Sequence, residues 1–318
     1  MKALFDLDIL LYEISGLGQY VDEETEETVM KSFDTVAEAF EQKVKEIEGE
    51  VWSTEPSLFF MTHNKQLYKI REKAKAKVLK RAKKKLESNP LDKKAASLVE
   101  ASQPSKYVPN FRDKVAEKKV YKGNRKANRP LHYENLVAYA KANHEVIEAQ
   151  GLEADDLLAV YQVAAEPLTT IICSRDKDLK IVPGMHFGWA CGLQKQFGPE
   201  QVTEIGWLKM PHKKLTGVGL KFFYAQMIMG DATDNIPGLP RQGPTKAFKL
   251  LGECSSEAEL FEAVAGSYRE FYYGVGGDAD CKQWRREMLE QARLLHMVTE
   301  LDDEGIPVMW EMYDERNN

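Results

Sequence analysis

Carboxylates fall at points in this sequence where they could gather. Asp6 closes a short apolar run from Lys2 that reads as a buried strand, and Asp176 and Asp178 follow a second such run, Thr169 to Ser174. In parallel α/β sheets, sites form beyond the carboxyl ends of strands. Glu153, Asp155 and Asp156 open a helix, a place that favours acids through the helix dipole alone. Asp231 and Asp234 are three apart and can face one direction. Any one of these pairs is explained by capping, and Asp8 reads as a first-turn acid. Converging together, they would repel one another strongly unless cations sat among them. Hard divalent ions such as Mg²⁺ or Mn²⁺ take oxygen ligands and keep waters. Two such ions about 4 Å apart suit in-line phosphodiester hydrolysis, one lowering the pKa of the attacking water and one stabilising the leaving oxygen.

The elements that would position these acids alternate. Residues 22–50 are acidic and carry Val29, Phe33, Val36, Ala37, Phe40, Val44 and Ile47 at helical spacing, which predicts a helix packed on a sheet. Ser57 to Thr62, after Pro56, reads as a strand. A helical pattern follows from Leu131 to Ala142, a strand from Glu145 to Ala149, and a helix opened by the Glu153–Asp156 run. Strands alternating with helices predict an α/β fold with a mostly parallel central sheet and flanking helices. From Leu220 the pattern is helical: Phe222 to Met229, a cap at Gly230 to Asn235, a turn from Ile236 to Pro244, a short helix from Thr245 to Leu251, then residues 256–298 with a break at Gly274–Gly277.

The net charge of −6 argues globally against nucleic acid, and the local distribution argues the opposite. Residues 65–94 hold thirteen Lys or Arg against three acids, with Leu67, Ile70, Ala74, Val78, Ala82 and Leu86 at helical spacing. This predicts a basic amphipathic helix, stopped by Asn89-Pro90, that flanks a DNA path through phosphate contacts from Lys77, Lys80, Arg81 and Lys84. Residues 95–110 read as a linker. A second basic stretch runs from Phe111 to Arg129. If Tyr121–Arg129 is helical, Lys122 and Arg125 lie about one turn apart and could clamp one phosphate. Gly238, Gly243 and the amides before Thr245 form a candidate phosphate nest at a helix N-terminus. The first residues do not read as a signal peptide, because carboxylates interrupt them, and no apolar stretch approaches the roughly 20 residues of a membrane span. Four well-separated cysteines, Cys173, Cys191, Cys254 and Cys281, read as reduced thiols of a cytoplasmic protein.

In Tyr121-Lys122-Gly123-Asn124-Arg125, the Glu153-Ala154-Asp155-Asp156 run, Ser174-Arg175-Asp176-Lys177-Asp178 and Gly230-Asp231-Ala232-Thr233-Asp234-Asn235, the chain resembles the 5′-3′ exonuclease and flap endonuclease family. Stand-alone bacteriophage enzymes of DNA replication look closest. The resemblance implies a PIN-like nuclease core over residues 1–219, with a basic helical arch or insertion at about 64–130. Residues 220–318 would form a helical region with a helix–turn–helix element that grips duplex DNA. It implies hydrolysis of DNA to a 5′-phosphate and a 3′-hydroxyl by two Mg²⁺ or Mn²⁺ ions. Asp6, Glu153, Asp155, Asp156, Asp176, Asp178, Asp231 and Asp234 would be metal ligands, and Lys122 and Arg125 would act with Asp6, Asp155 and Asp176 in catalysis. Tyr121 would stack on a base, and Lys126, Arg241, Thr245 and Lys246 would contact DNA, with a K⁺ in the 236–246 turn. The implied substrates are 5′ ends, flaps and duplex–single-strand junctions, with RNA primers in RNA–DNA hybrids as a further option, cut by a monomer away from any membrane. Two departures stand out: Phe60-Met61-Thr62-His63 carries no acid where the family has one after its second strand, and residues 64–110 look like an insertion. Asp113 is off the family's spacing; His63 could take the missing acid's place, or the position leaves one ligand to water. Arg241-Gln242 stand where small and apolar residues are usual.

Other readings stay open on the residues. Phe5-Asp6-Leu7-Asp8 also looks like the opening of a haloacid-dehalogenase-type phosphatase, a reading that leaves the Lys-rich segment and the Glu153–Asp156 run without a role. A non-catalytic DNA-binding protein would use the acids structurally, and a small RNA-cutting nuclease would share the sheet.

Overall fold

The structure is a computed structural model that describes residues 1–21, 28–62, 80, 84, 108–124, 129–274 and 282–316. The chain opens with β1 (Lys2–Asp6), α1 (Leu7–Gly16), β2 (Gln19–Val21), β3 (Thr28–Met30), α2 (Phe33–Glu50) and β4 (Leu58–Thr62). After a one-turn helix, α3 (Arg112–Val115), come α4 (Tyr133–Asn143), β5 (Val146–Ala149), α5 (Ala154–Ala164) and β6 (Thr170–Cys173). A 3₁₀ turn (Asp178–Ile181) leads to β7 (Gly184–Gly188), β8 (Phe197–Val202), β9 (Trp207–Lys209) and β10 (Thr216–Val218). The rest is helical: α6 (Gly219–Met229), α7 (Pro244–Leu251), α8 (Glu257–Gly274), α9 (Gln283–Leu295) and α10 (Tyr313–Arg316).

Six strands form the central sheet in the order β5-β4-β1-β6-β7-β8, parallel except for β8 at the edge. Its inner strands read as continuous apolar runs because both faces are covered. Ala3, Phe5, Phe59, Met61, Ile171 and Cys173 face one layer, with α1, α2 and α4. Leu4, Leu58, Phe60 and Ile172 face the other, with α5, α6 and the C-terminal helices. Phe5 and Phe59 stack across neighbouring strands at 4.7 Å, and truncating either to Ala should cost about 3–5 kcal/mol. A division after residue 219 thus runs through one continuous core, shared by the sheet and helices α6 to α9.

The helix predicted over 22–50 begins later. Thr28–Met30 is a strand paired antiparallel with Gln19–Val21, and α2 starts at Phe33, where the Ser32 hydroxyl accepts the Thr35 amide at 3.2 Å. A β-branched Thr-Val pair favours the strand, and the serine cap sets the helix start. The buried face of α2 is the predicted one: Val36, Ala37, Phe40, Val44 and Ile47. Strands β7 to β10 lie in a stretch where the sequence pattern sets no expectation. The helix expected over Tyr121–Arg129 is, over its described part, a turn from Tyr121 to Asn124 with Lys122 at φ 52°. Apart from Lys80 and Lys84, which are exposed, the basic helix of residues 65–94 lies outside the described residues, as does His63. Among the described residues, no helix is long and apolar enough to cross a membrane.

Candidate active site

β1 and β6 run side by side into the same end of the sheet, and the acids beyond them meet there. Asp6 ends β1 and caps α1, with one oxygen accepting the Ile9 amide at 3.3 Å and the other the Ser174 hydroxyl at 2.6 Å. That hydroxyl accepts the Asp176 amide at 3.0 Å, and Asp176 accepts the Asp178 amide at 2.9 Å. The chain leaving β6 is thereby folded tightly against Asp6. Thr62, the last residue of β4, accepts the Ala154 amide at 3.0 Å, which docks the start of α5 on the sheet end. Glu153 is the N-cap of α5. One cleft results, walled by Glu153, Asp155, Asp176, Asp178, Asp231 and Asp234.

Asp231 reaches the cleft from the loop after α6. Its carboxylate accepts the Thr233 amide at 2.7 Å, and its backbone pairs with Ile236. The basic motif is fastened to this loop. The Lys122 amide donates to Asp234 O at 3.0 Å, Asn124 Nδ2 to Ala232 O at 2.8 Å and Asn235 Nδ2 to Val120 O at 2.9 Å. The Lys122 ammonium then lies 2.5 Å from Glu153 and 3.8 Å from Asp234.

Two expected roles change. Asp156 is expected from the motif to be a metal ligand, but Arg112 grips it with two hydrogen bonds of 2.6 and 2.8 Å. It also accepts the amides of Glu153 and Val298 at 3.0 Å each. With both oxygens committed it braces α5 and is not open to an ion. Tyr121 is expected to stack on a base. It is buried instead, and its hydroxyl donates within 2.8 Å of Glu153 and 3.1 Å of Asp234, so it bridges two acids across the cleft.

Sequence reasoning gives no role to Arg112 or Gln226, nor to Ser174 and Lys177 within their motif. Lys177 pairs with Asp231 and, at 2.8 Å, with Asp178. Gln226 Nε2 donates to Asp178 at 2.6 Å. A lone amide inside the apolar Phe222–Met229 run is the available signal for Gln226. Arg112, inside a basic stretch, has none.

The charges are unevenly matched. Burial, then the charge of Asp8, pushes Asp6 up to about 7. Burial, then Asp176, pushes Asp178 up to about 6 despite Lys177. Asp155 stands well above the usual carboxylate range through burial and the charges of Asp6 and Asp176. Burial opposes ionisation of Glu153 too, but Lys122 and Arg112 outweigh it and hold the group at about 2. Burial likewise opposes Asp231, and the hydrogen bond and charge of Lys177 bring it below its ordinary value. The two lysines thus balance Glu153 and Asp231, while Asp6 and Asp155 are dominated by burial and like charge. As the side chains stand, no three His, Cys, Asp or Glu among the described residues converge on one point, and Lys122 and Lys177 pair with acids of the cleft. An all-oxygen donor set with surplus negative charge fits a hard divalent cation.

The helix–turn–helix stands where it is expected, α6 and α7 joined by the proline-rich turn. Gly238 does not join a phosphate nest: it is buried, and its amide donates to Gln291 Oε1 at 2.9 Å. Gly243, Thr245 and Lys246 at the start of α7 are accessible to solvent, as is Arg241 at φ 62°. The carbonyls of Ile236 and Leu239 in this turn accept the amides of Asp231 and Gln242. Arg125, Lys126, Lys77 and Arg81 lie outside the described residues.

No family model matches the chain. It is 34% identical over 149 residues to a DNA polymerase I of Rhizobium leguminosarum, an alignment covering 43% of this chain and 14% of that protein. It is 26% identical over 162 residues to a 5′-3′ exonuclease of Buchnera aphidicola, covering 49% of this chain and 53% of the relative. The chain spans about half or less of the length of these curated relatives. Among solved structures, the bacteriophage T5 flap endonuclease in complex with DNA and metal ions aligns over 92% of this chain and 88% of its own, with 10% identity and a TM-score of 0.44. A T5 protein co-crystallised with metal ions aligns over 92% and 85%, with 13% identity and a TM-score of 0.46. In sequence, then, this chain is a relative of proteins named 5′-3′ exonuclease and DNA polymerase I, as its motifs imply.

Proposed function

We propose that this chain is a divalent-metal-dependent nuclease that cuts DNA near a free 5′ end, leaving a 5′-phosphate and a 3′-hydroxyl. One observation carries the reading: a single cleft gathers Glu153, Asp155, Asp176, Asp178, Asp231 and Asp234, with the Lys122 ammonium among them. The names of the sequence relatives point the same way. The phosphatase alternative gives no task to Lys122, Tyr121 or Glu153, the groups that this cleft binds together.

Asp6, Asp155 and Asp176, with Glu153 beside them, would hold one Mg²⁺ or Mn²⁺, and Asp178, Asp231 and Asp234 a second. Such ions supply an acidic water and stabilise charge on the leaving oxygen. The chain's own groups do the rest. Tyr121 holds Glu153 and Asp234 at a fixed spacing across the cleft. Lys122 is half-buried on a left-handed turn beside Glu153 and Asp234; with those acids shared with cations, its ammonium would be available to a scissile phosphate, where a positive charge stabilises a developing oxyanion. The exposed start of α7, with Lys246 and Arg241, would seat a duplex phosphate without reading sequence. Flaps, blunt ends and RNA–DNA hybrids are all substrates that this arrangement could admit, with the protein acting as a monomer.

The test is cleavage of a 5′-flap duplex, a blunt duplex and an RNA–DNA hybrid with Mg²⁺. Labelling each strand end separately gives product length and end chemistry. The reading expects products bearing a 5′-phosphate, released from the 5′ side. Products bearing a 3′-phosphate, or none with any substrate, would refute it.

A further inference from the structure

Among the neighbouring strands β5, β4, β1 and β6, three deliver an acid just past their carboxyl ends. β1 ends on Asp6, β6 leads to Asp176 and β5 leads to Glu153. β4 lies between β5 and β1 and ends on Thr62, with no acid there. Asp8, in the first turn of α1, lies at this gap. Its Oδ2 accepts the Thr62 amide at 2.9 Å. The Thr62 hydroxyl accepts the Ala154 amide, so the Asp8 carboxylate is held at the strand end on which the start of α5 is docked, near enough for its charge to act on Asp6 and to feel Glu153. Lys122, whose charge reaches Asp8, is bonded to Glu153 instead.

We propose that Asp8 supplies from helix α1 the carboxylate that the end of β4 lacks, donating to the same divalent cation as Asp6 and Asp155. The inference rests on the nuclease reading of the cleft and adds to it a donor from outside the resemblance. Helix α1 starts directly after β1, so a side chain two residues past Asp6 can lean across to the next strand. The aspartate thereby replaces a residue on a different element, with no change in the order of the sheet.

The experiment is a Mn²⁺ titration, read by electron paramagnetic resonance of the free ion and by calorimetry, on wild type, Asp8→Asn, Asp155→Asn and Asp8→Asn combined with Thr62→Asp. Asparagine keeps an oxygen for the Thr62 amide and removes only the charge. Asp8→Asn should weaken Mn²⁺ binding by about tenfold or more with the metal-free Tm held or raised. The double variant, with its carboxylate returned to β4, should regain most of the loss. Wild-type affinity in Asp8→Asn, with Asp155→Asn weakened, would overturn the inference and leave the nuclease reading standing. Wild-type affinity in both would overturn that reading as well. If Asp8→Asn lowers the metal-free Tm together with affinity, and Thr62→Asp restores neither, Asp8 is a brace for the strand end and the proposal falls.

Discussion

The guanidinium of Arg112 holds the carboxylate of Asp156 in a two-armed ion pair, with both side chains sealed from solvent. Arg112 also donates to Leu294 O at 3.1 Å and His296 O at 2.7 Å. This pair fastens the start of α5 to the end of α9, behind the acid cleft. Removing one partner leaves an uncompensated buried charge. Asp156→Asn should therefore destabilise the protein by about 3–5 kcal/mol, read from urea denaturation of the metal-free form. A loss below about 1 kcal/mol would mean that the pair is solvated in solution.

Asp155 adjoins Asp156 in sequence, yet its environment is the reverse. It sits among like charges that hold its carboxyl well above the usual range. Asp155→Asn should leave the metal-free Tm unchanged or raise it, and lower the single-turnover cleavage rate by at least about 100-fold. The two neighbouring substitutions thus separate cleanly, one on stability and one on turnover. A metal-free Tm that falls as far in Asp155→Asn as in Asp156→Asn would contradict the division of roles.

The raised carboxyls set a pH dependence. Asp6, at about 7, and Asp178, at about 6, bind protons more tightly in the folded chain than at their ordinary value of 3.8. Their contribution to stability is full below that ordinary value and is lost as pH rises through about 6 to 7. Glu153, held at about 2, acts oppositely: it stabilises above its ordinary 4.5 and that stability is lost as pH falls toward 2. The metal-free Tm should fall between about pH 4 and pH 7, the window from their ordinary 3.8 to their values in the folded chain. Mg²⁺ should abolish most of that fall, because the ion binds the deprotonated carboxylates and displaces protons from the rest. Calorimetric scans with EDTA and with Mg²⁺ check this; parallel curves would contradict it.

At the start of α7, Lys246 lies 4.0 Å from Glu270, with both side chains well exposed, a pairing that holds it weakly. If it seats a duplex phosphate, Lys246→Ala should weaken binding alike on all sequences and reduce the slope of log affinity against log salt by about 1. Fluorescence anisotropy across a salt series reads both, with EDTA present to prevent cutting. An unchanged slope would remove α7 from the duplex path.

Much of this architecture is legible in the residues. Strands that end on acids are marked by short apolar runs, and the buried face of α2 follows its 3.6-residue period. What escapes is long-range. Nothing local says that Asp156 meets Arg112, 44 positions earlier, or that Asp8 touches the end of β4, 54 positions away. Tyr121 looks like an aromatic free to stack until the fold brings Glu153 and Asp234 to its hydroxyl. Gly238 looks like a phosphate-binding glycine, yet Gln291 takes its amide from a helix 53 residues on. The early part of residues 22–50 misleads for a local reason: Val29 continues the helical spacing of the residues after it but pairs with Tyr20 in a hairpin.

If the gathered carboxylates cut DNA through bound cations, removing one of them should stop the cut and leave the grip. The most direct measurement is single-turnover cleavage of a 5′-labelled flap duplex by wild type and Asp176→Asn, each with Mg²⁺ and with EDTA, beside DNA affinity measured in Ca²⁺. Among the described residues Asp176 pairs with no Lys or Arg, and it accepts the Asp178 amide, so its asparagine variant should fold and hold DNA normally. Product is expected from wild type with Mg²⁺ only, and a rate in Asp176→Asn lower by at least about 100-fold with DNA affinity retained. Equal cleavage by both proteins, or product in EDTA, would contradict a metal-dependent cut at these acids.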